Sequence, residues 1–436
     1  MHNTYKPLFS LDPSVTFLNH GSFGACPKVV FDTLIKFQKK LEFEPVKFLA
    51  HDIYHYLKES REALAKYINC DSEDIAFFPN PSTALNTLIR SLDLKQGDEV
   101  LTTNHEYGAL DRTWGFISKK RGSKYVKIDI DIPFVDKQKF IDCFKKAINK
   151  HTKVIFLSHI TSATALIFPV KEIIELAKKN NILTIIDGAH VPAHIDLDIR
   201  KLDPDFYCGA CHKWMCSPKG VAFLYVKEEF QQMMEPLVIS WGYEAENPSH
   251  SQFLDYMQWQ GTNDISAYLT VPDTIHFLEN HNWKEKAARC KELNLWAKNE
   301  ISSQLNIKAL GSDAFLAQMT TFSLPLDNTI EQQMEFYKKF KIQLPFIKWN
   351  EQTFFRISSQ VYNSKEDFIY YVLFVSEQLG LNTEEFECVL MGAIKKDDDL
   401  YSIVYKYIRH VSLLPEDKML YSYNNSTKNF TILNSF

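Results

Sequence analysis

Two residues raise the question of chemistry. Asp187 closes the apolar run Ile182-Leu-Thr-Ile-Ile186, and Lys213 follows within Cys211-His-Lys-Trp214. An acid at the carboxyl end of a buried strand can cap the next helix or sit solvated in a loop; it can also meet a cationic ring nitrogen. A single lysine is ordinarily a surface charge. Lys213, however, stands among cysteine, aromatic and proline residues, with Ser217-Pro-Lys-Gly220 and the apolar run Val221 to Val226 directly after it. Burial favours the neutral amine, and a neutral amine adds to a carbonyl to form an imine. A third feature is Phe77-Phe-Pro-Asn80-Pro-Ser-Thr-Ala-Leu-Asn86. There an apolar run turns through Asn80-Pro81 into Ser82 and Thr83 before a helix expected to open at Ala84. Hydroxyls and backbone N–H groups in such a turn suit an anion such as a phosphate, although a plain helix N-cap has the same composition. An imine-forming lysine, a carboxylate for a pyridine nitrogen and a phosphate cradle are together what pyridoxal 5'-phosphate (PLP) requires.

Other chemistries lack their anchors. The chain has no P-loop, no Gly-x-Gly-x-x-Gly, no His-Glu-x-x-His and no Gly-x-Ser-x-Gly. Cys208-Gly-Ala-Cys211-His212 has the spacing of a covalent haem attachment. That chemistry needs export, and Met1 to Ser10 does not have the pattern of an export signal. A zinc site would need further ligands, and the nearby cysteine is Cys216. No metal is therefore expected. The chain has 436 residues, 45% apolar and 24% charged, with a formal charge of −5. That balance does not suit a nucleic acid or an anionic membrane surface as partner. No stretch reaches the roughly 18 apolar residues of a membrane span. A cytoplasmic location is the expectation.

The elements that must position these residues follow from periodicity. Phe140, Ile141, Phe144 and Ile148 repeat at helical spacing, as do Ile173, Ile174 and Ala177 within Lys171 to Asn180. Lys153 to Ser158, Ile182 to Ile186 and Val221 to Val226 are short apolar strands. The alternation predicts an α/β fold in which helices flank a mostly parallel mixed sheet, with ligands beyond the carboxyl ends of the strands. From about residue 270 the pattern changes to a smaller α+β domain. Its expected parts are a helix over Trp283 to Ile301, strand-like pieces over Ala309 to Leu324, a strand before Arg356 and a helix over Lys365 to Leu379. The expected divisions are an N-terminal segment 1–20 near the site, a large domain 21–265, a small domain 266–380 and an extension 381–436. Within the extension, Tyr423 to Thr427 is expected to be loop.

Beyond these separate features, the chain resembles the class V aminotransferase family of fold-type I PLP enzymes, and within it the isopenicillin N epimerase-like branch. The resemblance covers about residues 15–380. It rests on ordered motifs: Phe17-Leu-Asn-His-Gly-Ser-Phe-Gly24, Asn80 to Asn86, His105-Glu-Tyr-Gly-Ala109, Ser158-His-Ile-Thr-Ser162, Asp187-Gly-Ala-His190, His212-Lys-Trp214, Gly261-Thr-Asn263 and Arg356-Ile-Ser358. The resemblance implies that Lys213 carries PLP and moves the Cα proton, and that Asp187 meets the ring nitrogen. By the same resemblance Tyr107 stacks on the cofactor, and Ser82, Thr83 and His212 hold its phosphate. Ser162 and His190 lie near the ring hydroxyl. Thr262 reaches the neighbouring subunit of a homodimer, Arg356 grips the substrate carboxylate, and Asn19 and His20 border the mouth.

Two positions depart from the family pattern. Ala210 stands where relatives often have a polar residue, and no cysteine lies between Cys290 and Cys388, where desulfurases need a nucleophile. The implied reaction is Cα deprotonation of an α-amino acid joined to the cofactor, ending in epimerisation or C–S β-elimination. Transamination, desulfuration (disfavoured by the missing cysteine) and a non-catalytic binding module are the alternatives.

Overall fold

The computed structural model describes residues 4–324, 330–369, 419–424 and 429–435. Seven strands form the main sheet: β1 Ile75–Phe78, β2 Glu99–Thr103, β3 Lys124–Ile128, β4 Thr152–Ser158, β5 Leu183–Gly188, β6 Phe206–Ala210 and β7 Ala222–Val226. Their order is β1-β7-β6-β5-β4-β2-β3. Only β7 runs against the others. β1, β6 and β7 are buried along their whole length, as expected for strands covered on both faces. The sheet is mixed and mostly parallel, with helices between most of its successive strands, as the expected α/β class requires.

The expected elements are present with shifted ends. The helix bearing Phe140 spans Lys137–Ala147, and the next spans Val170–Lys179. The helix after β1 opens at Pro81, three residues before the expected Ala84, and runs to Ser91. Asn80 caps it, its side chain accepting from the Thr83 N–H at 2.8 Å, and Pro81 supplies the preset φ of a first helical turn. Ser82 and Thr83 thus belong to that first turn.

A second sheet, ordered Phe346–Trp349, Gln352–Ser358, Met319–Leu324, is antiparallel throughout. Arg356 lies on its central strand opposite Thr321. The helix Trp283–Leu305 precedes it. The helix Val271–Asn280 also falls within the stretch expected to be the small domain. Its Val271, Ile275, Phe277 and Leu278 nevertheless join the apolar cluster that holds Leu57, Leu64 and Ile68 of the helix Ile53–Ile68. Leu18, from the N-terminal segment, packs instead with Phe322, Phe355 and Ile357 of the second sheet.

Met419–Asn424 and Asn429–Ser435 pair as an antiparallel ladder. Tyr423 and Asn424, expected in a loop, therefore lie in a strand, because each pairs across to Phe430 and Asn429. The helix expected over Lys365 to Leu379 is helical through 369, and its remainder lies outside the described residues. No helix among the described residues is long and apolar enough to cross a membrane.

Candidate active site

The carboxyl ends of β1, β2, β4, β5 and β6 carry Ser82 and Thr83, Tyr107, Ser162, Asp187 and His190, and His212 and Lys213 respectively. The Lys213 turn is pinned by its own backbone. Cys211 N–H and His212 N–H both donate to the Val221 carbonyl, at 3.0 and 3.2 Å, and Cys216 N–H donates to the Lys213 carbonyl at 3.1 Å. His212 Nδ1–H donates to that same Val221 carbonyl at 2.9 Å.

A second clamp comes from the N-terminal segment. His20 is fully buried. Its Nε2–H donates to the Lys213 carbonyl at 3.0 Å, while Nδ1 lies 2.7 Å from the Tyr362 hydroxyl. Both ring nitrogens are thus spent on the protein, which differs from the mouth position expected for this side chain. Gly24 follows at φ +70°, where a Cβ would stand 2.2 Å from the His212 carbonyl oxygen and 2.7 Å from that of Lys213. Gly24→Ala is expected to cost at least about 2 kcal/mol, from left-handed strain plus overpacking. Gly97, at φ +87°, has nothing within 4 Å of its would-be Cβ, so Gly97→Ala pays the backbone term alone. Calorimetry on the two variants checks this; an equal loss of Tm would contradict the steric clamp at Gly24.

The Lys213 side chain enters a charged pocket. Its Nζ lies 3.1 Å from His190 Nε2. The residue keeps some solvent-facing surface, but protein surrounds the amine, and that burial pushes Lys213 down to about 8. Arg356 pushes the same way, while Asp187 opposes. Asp187 is 5% exposed, and Oδ1 accepts from Ala189 N–H at 2.9 Å. Burial pushes its carboxyl upward against that hydrogen bond and the Lys213 charge. His190 is held neutral by burial, with Lys213, Arg356, His194 and His212 adding positive potential.

Arg356 is 2% exposed. Nη2 donates to Ser22 Oγ at 3.1 Å and Nη1 donates to the Ser162 carbonyl. Ser22 Oγ in turn donates to Asn19 Oδ1 at 2.6 Å. Arg356 Nε has no partner, and among the described residues no carboxylate pairs with the guanidinium. A buried cation left in that state is costly unless an anion joins it. Tyr107, Ser162, Arg356, Glu106, Lys127 and Trp349 line one cavity of about 610 Å³.

Glu106 went unremarked in the sequence as an individual residue. It is buried; Oε1 accepts from Thr103 Oγ1 at 2.7 Å, and Oε2 accepts from Ser158 N–H at 2.9 Å and Ser158 Oγ at 2.6 Å. Burial pushes it up to about 7, and the Asp187 charge adds to the rise. An acid just after β2 is the same signal that singled out Asp187 after β5. Cys208 and Cys211 are buried thiols, raised by desolvation. Thr262 is exposed and lines a separate cavity of about 700 Å³ with Val46, Tyr54 and Trp241, apart from the Lys213 group.

The donor set suits a cofactor with a carbonyl, a basic ring nitrogen and an anionic tail. It offers a buried amine, a buried carboxylate with no ion pair among the described residues, and a capped helix N-terminus, all at the carboxyl ends of strands of one sheet. The family model for class V aminotransferases matches residues 22–368. The chain belongs to the class V aminotransferase family.

Among class V relatives, an isopenicillin N epimerase from Amycolatopsis lactamdurans is 29% identical over 82% of this chain and 94% of its own length. The hercynylcysteine sulfoxide lyase of Schizosaccharomyces pombe is 26% identical, over 84% and 94%. A solved variant of C-DES with glycine covalently linked to its PLP cofactor superposes with TM-score 0.74 at 19% identity, covering 84% of this chain and 97% of its own.

Proposed function

We propose that this class V chain is a PLP-dependent enzyme that removes the Cα proton of an α-amino acid and completes either an epimerisation or a C–S β-elimination. The observation that carries this is a buried amine, Lys213, that feels the charges of a buried acid, Asp187, and of a buried guanidinium, Arg356, with no carboxylate paired to it among the described residues. The named functions of the epimerase and lyase relatives support the same pair of reactions.

When bound through Lys213, PLP would supply an electron-withdrawing ring that acidifies the Cα–H of the attached amino acid. Asp187 holds negative charge where the ring nitrogen is to stay protonated, in a setting too dry for water to screen it. Ser82, Thr83 and His212 hold the phosphate, with the first-turn N–H groups of Pro81–Ser91 behind them. Tyr107 covers the ring, and Ser162 and His190 flank its hydroxyl. Arg356 takes the substrate carboxylate with the donors its two protein partners leave free. Asn19 acts on the substrate through Ser22, which it shares with Arg356. Lys213 Nζ, once released, accepts the Cα proton as general base. Returning it to the other face gives inversion; loss of a β-sulfur substituent gives elimination. Persulfide formation on a loop cysteine is disfavoured, since none lies between Cys290 and Cys388.

The proposed assembly is a cytoplasmic homodimer with shared sites. Val46, Ile239 and Trp241 are 74%, 66% and 77% exposed, and an apolar surface of this kind suits a second copy. Thr262 lies on that surface, where it would reach the neighbouring subunit's phosphate site. The domain divisions at 20, 265 and 380 stand as part of this proposal.

Purified protein should be yellow with PLP. Borohydride should abolish the colour and leave the label on Lys213. Uptake of PLP should rise with pH through about 8 as the Lys213 amine loses its proton. A colourless protein that takes up no PLP at any pH would overturn the reading. A panel of amino acids, cysteine conjugates and sulfoxides, followed by pyruvate, ammonia and sulfur release and by optical rotation, separates lyase from epimerase.

A further inference from the structure

Trp214 follows the site lysine, and its surroundings are unlike those of other buried indoles in this chain. Trp114 and Trp283 leave their Nε1–H groups without a partner among the described residues. Trp214 Nε1–H donates to His190 Nδ1 at 3.3 Å. Two histidine rings pack against the indole. His194 stacks on it at 3.8 Å and 17°, and His20 leans on it at 4.9 Å and 54°. Both histidines are themselves anchored. His194 Nδ1–H donates to the His190 carbonyl at 2.7 Å, its Nε2 accepts from Gln318 N–H at 2.9 Å, and His20 bridges Tyr362 and the Lys213 carbonyl. The indole has no exposed surface in which to swing.

Indole nitrogen only donates, so His190 Nδ1 must be the bare nitrogen of the ring. A neutral imidazole carries its one proton on the other nitrogen. His190 Nε2–H therefore points at Lys213 Nζ, 3.1 Å away. An ammonium has no lone pair with which to accept that hydrogen bond, whereas a free amine has one. We propose that Trp214 is a positioning residue: its N–H fixes the proton of His190 on Nε2, which favours Lys213 Nζ as an acceptor and so the free amine over the ammonium. The other groups around this pair are Asp187, Arg356 and Cys208 at Lys213, and Arg356, His194 and His212 at His190. Asp187 favours the ammonium most among the charges and Cys208 less, Arg356 opposes it, and the His190 Nε2–H 3.1 Å away opposes it by geometry.

The inference concerns the same lysine as the proposed function and rests on that reading for its purpose, but its test reads a proton position directly. The protein used is the full chain with ¹⁵N-labelled histidine, as wild type, as Trp214→Phe, and with β-(3-benzothienyl)alanine at 214, which keeps the bicyclic shape and replaces N–H by sulfur. Imidazole ¹⁵N shifts should show His190 as a single Nε2–H tautomer in the wild type. Loss of one hydrogen bond, worth about 1 kcal/mol, should shift the tautomer ratio roughly fivefold in both variants. Borohydride-trapped PLP on Lys213 at pH 7 should slow by a similar roughly fivefold factor, with the pH profile displaced upward. The isosteric variant keeps the packing, so a purely structural role would leave its profile and tautomer unchanged, and that result overturns the proposal. So does a wild-type His190 with its proton on Nδ1. If the wild type traps no PLP at all, the functional reading fails, while the tautomer measured without cofactor still decides this one.

Discussion

Lys213→Ala is expected to lower kcat by about four orders of magnitude or more while leaving weak PLP binding. Two proposed contributions disappear with the amine, the covalent anchor and the proton acceptor at Cα, and positioned acid–base groups alone are worth about 10²–10⁴. The groups proposed to hold the rest of the cofactor remain, since Asp187 and the helix Pro81–Ser91 owe none of their hydrogen bonds to the Lys213 side chain. The fold should also survive. The turn is held by its backbone, through Cys211, His212 and Cys216 N–H groups and the His20 bond to the Lys213 carbonyl. His190 loses one neighbour but keeps Trp214. Single-turnover assays and a PLP titration check the split. Near-native turnover in the variant would remove Lys213 from the chemistry.

Arg356→Ala should reduce kcat/KM for amino-acid substrates by about two orders of magnitude or more, mostly through KM, with little change in bound PLP. Two hydrogen bonds to a charged carboxylate contribute about 1.5–3 kcal/mol each. The guanidinium has donors to spare, since among the described residues its partners are Ser22 Oγ and the Ser162 carbonyl, with Nε unpaired. Arg356→Lys keeps the charge but not the planar fork and should recover only part of the loss. Arg356→Met fills the space without a charge, and it should unfold no more easily than the wild type, because it removes a buried cation that has no counter-ion among the described residues. Lost cofactor with an unchanged KM would place Arg356 against the cofactor instead.

Much of this site can be seen in the linear chain because strand chemistry is local. A run such as Ile182 to Ile186 must be buried, so the first polar residue after it, Asp187, falls at a carboxyl edge wherever the strand sits in its sheet. After Glu99–Thr103 the polar residues Asn104 and His105 come first, and Glu106 is the first acid, so a search for acids beyond strand ends finds it. Helix starts were less sharply defined. Asn80 and Pro81 carry the start signal for Pro81–Ser91, whereas weight on the apolar residues moves the start to Ala84 and leaves Ser82 and Thr83 outside the helix.

By itself the sequence determined the α/β class and the ordered motifs of a class V chain, and it singled out Lys213 and Asp187 as the pair on which the proposed site rests. Each of these depends on residue type and short spacing, which survive without coordinates. The tertiary structure alone decided what surrounds the lysine. His20 clamps the Lys213 carbonyl across 193 residues of chain, and Ser22 and Ser162 hold Arg356 from 334 and 194 residues away. It also decided that Val271–Asn280 packs with Ile53–Ile68, since a helical period shows that a face is apolar and says nothing about what covers it. Contacts of that length leave no period in the sequence, because they are made by sheet order and loop crossing after the strands have formed.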